Sequence, residues 1–450
     1  MNLVHRSLSL KIITLKYLFA VVSSFIFIVA FVACSDAPKG PEGPPSKPGN
    51  PGSASAPGSF ERILAHIPDV PDSRDSLVVI DIAKVREELE IDRPSDTATA
   101  DQIAEYQIAM HQGANAKDGI GTGLIRGDGR LSGWVQSSGK NESTTYDTLG
   151  IDSRNVDQYA LFGSSPTFAS EVLLGEYSPD TTAERLAACD DCEPHEVVQH
   201  GSTDSEYYVW SEDFEQDLRK RLAKPAFDHF GRGGRIFVQG GMATRTLSNE
   251  HIDQIIDASL NVEPSLADDP NYASAAVILA NNEVAIASFT SRITTVNSSI
   301  EALEKAWEHG LQKGVTSEEV VQQFSKAHLL LPWKMAAIGT AFPDADGESP
   351  ATYAVLVHSS ESDAKQNAIR LEERIEQDEY LLTYNLPGGS GLNNGEIIGW
   401  VDFLTDYSVW VEGNAVVLKA TGTEIGHNIA RAILSHSDDV FFVHTLLTAE

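Results

Sequence analysis

One order of elements occurs twice in this chain, and that repetition constrains the fold more than any other feature. RIFVQGGMATRTL (235–247) reads as a β-hairpin turning at Gly240-Gly241. It runs directly into SNEHIDQIIDASL (248–260), a helix with Ser248 as N-cap and Ile252, Ile255 and Ile256 on one face. Further on, SVWVEGNAVVLKAT (408–421) reads as a hairpin turning at Gly413-Asn414 and leads into helical GTEIGHNIARAIL (422–434). Gly-Gly and Gly-Asn suit two-residue turns, whose central residues call for positive φ.

The elements upstream match as well. EVLLGEY (171–177) and ATYAVLVH (351–358) alternate as strands, followed by helical PDTTAERLAAC (179–189) and SSESDAKQNAIRLEERIEQ (359–377). SLVVIDIAKVREELEI (76–91) and EVAIASFTSRITTVNSSIEALEKAWEHGL (283–311) each open as an apolar strand leading into helical sequence. Between them, HEVVQHG (195–201), EYYVW (206–210) and EIIGWVDFL (396–404) read as strands, and EDFEQDLRKRLAKPAF (212–227) as a helix. The expected fold is α+β: two similar halves, 60–260 and 261–450, each a mainly antiparallel sheet with helices packed on it, joined near NVEPSLADDPN (261–271).

The N-terminal 33 residues have a different character. A basic segment with Arg6, Lys11 and Lys16 precedes an apolar or hydroxylic run from Tyr17 to Ala33, as in a secretory signal. Phe31-Val32-Ala33-Cys34 resembles the lipobox of bacterial lipoproteins, with Phe31 where Leu is usual. The resemblance implies residues 1–33 as a cleaved signal peptide and Cys34 as the diacylated first residue of the mature chain. It places the protein at the cell membrane, lipid-anchored on the extracytoplasmic face. The alternative is an uncleaved anchor, since the run borders on the length a spanning helix needs. Two acyl chains give durable attachment by themselves.

Residues 34–59 continue as a tether rich in Pro, Gly and Ser, with small residues at every third place from Gly40 to Gly58. Ser46 and Ser55 interrupt the Gly period that a collagen triple helix demands, which leaves an extended linker reaching up to roughly 80 Å. The chain carries a net charge of −32, and losing the signal makes it more negative still. Such a surface disfavours nucleic acid and anionic headgroups, so no nucleic-acid partner is expected, whereas a cationic ligand or a protein partner fits. The acidity serves solubility equally well.

CDDCEPHEVVQH (189–200) gathers two thiols and two imidazoles within twelve residues. With Cys34 assigned to lipid, one pair of cysteines remains, and outside the cytoplasm it is free to oxidise. The first expectation is therefore a structural disulfide between Cys189 and Cys192, then two free thiols, then a zinc site using His195 and His200. A reactive thiolate would want a helix N-terminus, but Cys189 closes a predicted helix and is followed by Asp190 and Asp191. His195 and His200 are an odd number apart in a predicted strand, so their side chains oppose each other. No metal, cofactor or catalytic residue is expected.

Weaker patterns have plain explanations: DADGES (344–349) as a hairpin turn, PGGSGLNNG (387–395) as a loop, Arg126-Gly127-Asp128 as a turn, and the scattered tryptophans as core. The leading functional expectation is a non-catalytic, membrane-anchored binding or structural lipoprotein. Solute capture for a transporter and extracytoplasmic hydrolysis or metal catalysis are the alternatives. The sequence carries no signature of oligomeric state.

Overall fold

The computed structural model describes residues 60–110, 148–163, 170–291, 330–342, 350–376, 380–381, 397–398 and 404–422, apart from a few isolated positions within them. Phe60–Leu64 (α1) and Pro71–Asp75 (α2) lead to strand Leu77–Asp81 (β1) and helix Ile82–Glu88 (α3). Strands Val156–Phe162 (β2) and Ser170–Gly175 (β3) follow, then helix Pro179–Ala187 (α4) and strands Glu196–Gln199 (β4), Glu206–Val209 (β5), Arg235–Gln239 (β6) and Met242–Thr246 (β7). Helices Asn249–Ser259 (α5) and Pro270–Asn281 (α6) precede Val284–Thr290 (β8), Met335–Ala341 (β9) and Ala351–Val357 (β10). Helix Glu361–Ile375 (α7), the two-residue strands Tyr380–Leu381 (β11) and Ile397–Ile398 (β12), and the hairpin Leu404–Glu412 (β13) and Ala415–Gly422 (β14) complete the series.

Among the described residues, twelve strands form one antiparallel sheet in the order β13-β14-β10-β9-β8-β1-β2-β3-β7-β6-β5-β4, and β11 and β12 pair separately. Read outward from the centre, β1-β2-β3-β7-β6 mirrors β8-β9-β10-β14-β13. The match extends to single hydrogen bonds. Met242 pairs with Gln239 and Leu174, as Ala415 pairs with Glu412 and Val357. One residue on, Gly175 N–H donates to Gly241 O and His358 N–H to Asn414 O, both at 2.9 Å. This is an internally duplicated α+β fold, and its hairpins at Gly240 and Gly413 occupy equivalent places. Each turn uses one glycine at positive φ, Gly241 at 86° and Gly413 at 61°.

The two copies meet at β1 and β8, which pair antiparallel, Leu77 opposite Phe289 and Ile80 opposite Ile286. Chain segments on either side stitch this seam. Arg74 donates to Asp269 (2.7 Å) and also pairs with Asp69, while Tyr272 Oη donates to Arg74 O at 2.7 Å and Leu266 N–H to Ile67 O at 2.8 Å.

Cores lie on both faces of the sheet. One buries Val79, Phe162, Leu174, Phe237, Phe289 and Val417 beneath α1, α5 and α6. The other buries Ile80, Tyr159, Leu173, Ile236 and Ile286 with contributions from α3 and α4. Ser248 caps α5, accepting from His251 N–H at 3.2 Å, and Ile252, Ile255 and Ile256 are buried as the periodicity predicts, each contributing about 1.5–3 kcal/mol. Trp210 and Trp333 are buried and Trp410 packs against the core, whereas Trp307 and Trp400 lie outside the described residues.

One expected helix is absent. Residues 212–227 form loop and a single 3₁₀ turn, Leu218–Lys220, with Phe214 at φ 58°. The segment has helical composition, but tertiary bonds claim its backbone: Phe214 N–H donates to Leu247 O and Asp217 N–H to Gly231 O, both at 3.1 Å. No helix among the described residues is long and apolar enough to cross a membrane. The apolar run 17–33, the tether and the helix expected at 422–434 fall outside the described residues, except that Gly422 closes β14.

Candidate functional site

The outer end of the first half, from α4 through the loop before β6, gathers the chemistry anticipated around CDDCEPHEVVQH. Cys189 and Cys192 form a disulfide with Cα atoms 5.6 Å apart. The bridge follows the C-terminal end of α4, whose cap is Ala188. The corner leans on the loop between β5 and β6: Glu193 N–H donates to Lys224 O at 2.9 Å, Lys224 pairs with Asp191 (3.3 Å) and Lys220 with Glu193 (3.1 Å). With so much holding the corner, the double variant Cys189→Ser/Cys192→Ser should lose roughly 2 kcal/mol or less and keep its fold. Denaturant unfolding followed by circular dichroism checks this; a collapse of native structure would show the bridge to be indispensable.

The structure separates the two histidines. His195 lies 5.3 Å from the Trp210 ring, tilted by 39°, and meets Tyr208 edge-on at 5.5 Å. His200, at the end of β4, instead points to α5, with Nδ1 2.8 Å from Asp253 Oδ1 and Nε2 2.9 Å from Asp257 Oδ1. Among the described residues, no group of three or more His, Cys, Asp or Glu is arranged to hold a metal ion.

Sequence reasoning missed both charged clusters that organise this region. Asp253 and Asp257 stand one turn apart on α5, a spacing that puts both carboxylates on one side of a helix. That signal was present in SNEHIDQIIDASL. Arg235 is the second case. It is fully buried on β6, where Nη2 donates to Asp213 (2.6 Å) and Ser211 O (2.7 Å), Nη1 to Gly233 O (3.2 Å) and Glu212 O (3.3 Å), and Nε to Asn249 Oδ1 (2.9 Å). A basic residue opening an apolar strand gives no hint of such burial.

The β5–β6 loop thus tied down displays Leu218 and Phe230, 64% and 40% exposed, on adjacent strands of chain joined by the Asp217–Gly231 bond. Cys34 lies outside the described residues, as do Arg126-Gly127-Asp128 and the loops 344–349 and 387–395. The class defined by these observations is a duplicated α+β protein whose two copies share one large antiparallel sheet. No family model, curated protein or solved structure matches the chain.

Proposed function

We propose that the protein is a non-catalytic, lipid-anchored lipoprotein of the extracytoplasmic face, with a binding or structural role. Phe31-Val32-Ala33-Cys34 at the end of a long apolar run carries this reading, and the Pro/Gly/Ser-rich tether of residues 35–59 supports it by giving the folded part freedom to stand off a bilayer. An oxidised cysteine pair agrees with an oxidising compartment. The polar groups of the outer end are engaged in ion pairs and hydrogen bonds that brace a surface, as a docking scaffold requires.

Solute capture favours two lobes rich in parallel βαβ units around a cleft. Here the copies share one antiparallel sheet, which suits the scaffold reading better. Cys34→Ala is expected to abolish incorporation of labelled palmitate and to leave a longer precursor. Unchanged labelling and unchanged size would overturn the lipoprotein assignment.

A further inference from the structure

We propose that His200 is a proton-operated latch that pins the outer hairpin β4–β5 to α5 and releases it when the imidazole gives up its second proton. Both ring nitrogens face carboxylate oxygens, at 2.8 and 2.9 Å. A carboxylate only accepts, so both bonds exist together only when the imidazole carries two protons. A neutral ring would turn one lone pair toward a carboxylate at the same distance. Burial works against the charged ring, but the hydrogen bonds and charges of Asp257 and Asp253 outweigh it and raise the pKa.

The position of the clamp gives it leverage. Among the described residues β4 pairs only with β5, and β5 is joined to β6 through the pairs Tyr208–Ile236 and Val209–Arg235 and a Trp210 N–H to Gly234 O bond at 3.3 Å. His200 holds the far end of this edge hairpin, just before its turn, where its own N–H donates to Ser205 O at 2.9 Å, while Tyr207 and Val209 bury the near end in the core. Other charged and titratable groups lie around it. Tyr207 on β5 is hydrogen-bonded to Asp253, and burial, followed by the charge of Asp253, pushes its hydroxyl up to about 12. On β6, Arg235 stays paired with Asp213. Asp204 and Glu206, on the hairpin itself, are exposed carboxylates.

In the released hairpin the imidazole titrates near the ordinary value of about 6.5, below its value in the clamp. The latch therefore contributes fully below about pH 6.5 and is lost as the pH rises through the raised value. Between the two values the hairpin should open about tenfold more often per pH unit.

Amide hydrogen exchange of the full chain at pH 5.5 to 8.5, corrected for intrinsic rates, reads this directly. Protection of residues 196–209 should fall across that range relative to β7, and His200→Gln should show the low level at every pH. NMR titration of the wild-type imidazole provides a check independent of any variant's folding, with a midpoint expected above 6.5. A midpoint at or below 6.5, wild-type protection of the hairpin that does not change with pH, or a His200→Gln protein retaining the wild-type pH dependence would each overturn the proposal.

Discussion

Replacing Arg235 with alanine is expected to lower the unfolding free energy by about 3 kcal/mol, the cost of leaving the partners of a buried charge unsatisfied. All five guanidinium donor directions are occupied, three of the acceptors being backbone carbonyls of Ser211, Glu212 and Gly233. Those carbonyls belong to the ends of the β5–β6 loop, so the arginine closes the loop on itself. Asp213 is shared: it also accepts from Asn249 N–H at 3.0 Å, at the start of α5. Losing the arginine therefore loosens both the loop and a helix entry. Arg235→Lys restores the charge without the planar fork and should recover only part of the loss. Chemical denaturation measures both variants, and a drop below about 1 kcal/mol for the alanine variant would mean that water replaces the lost donors.

Gly175→Ala should be comparably damaging, at about 3 kcal/mol, although the chain there has no unusual φ. A Cβ at Gly175 would overlap the carbonyl oxygen of Asn155 and lie 2.8 Å from its carbonyl carbon. The obstructing backbone has little room to retreat. Arg154 beside it is buried, bonded to Asp152 (2.7 Å) and to Ser95 O (2.9 Å), and Asn155 O itself accepts from Glu176 N–H at 3.2 Å. Gly240→Ala is the control, because no atom lies within 4 Å of a Cβ there. Equal unfolding midpoints for the two variants would show that the Ser153–Asn155 turn moves aside. The second copy places His358 at the position of Gly175, where its ring meets the Asn367 amide at 2.6 Å. The same place in the sheet is thus crossed by backbone in one copy and filled by a side chain in the other.

Local pattern made much of this fold legible. Alternation and turn residues located the hairpins at Gly240 and Gly413, and Ser248 with its three isoleucines marked α5, because these features depend on near neighbours. The expected Cys189–Cys192 pairing joins residues only three apart. Three things could not be read. Helix α6, PNYASAAVILAN, buries Tyr272, Ala275, Ala276 and Leu279 on one face, but its outer side carries Ala273, Ser274 and Val277 rather than charges, so no clear polar face announces its period, although Asp269 and Pro270 supply a cap and a first residue. The stretch 212–227 has the composition of a helix, yet distant partners such as Leu247 and Gly231 hold its backbone. Finally, a strand pattern does not say which edges meet. Nothing in LVVID or VAIASFT identifies them as partners across about two hundred residues, and the His200 clamp likewise spans a contact that appears only once β4 lies beside α5.

The seam between β1 and β8 also bears on how the two copies can differ. Antiparallel pairing of equivalent strands is the relation that a twofold dimer uses, and in such a dimer each contact is made twice by identical residues. A single chain is released from that requirement. Here Leu77 faces Phe289, Val78 faces Ser288 and Val79 faces Ala287, while Ile80 faces Ile286. Each half is thereby free to diverge from its sibling, as Gly175 and His358 have done at equivalent places.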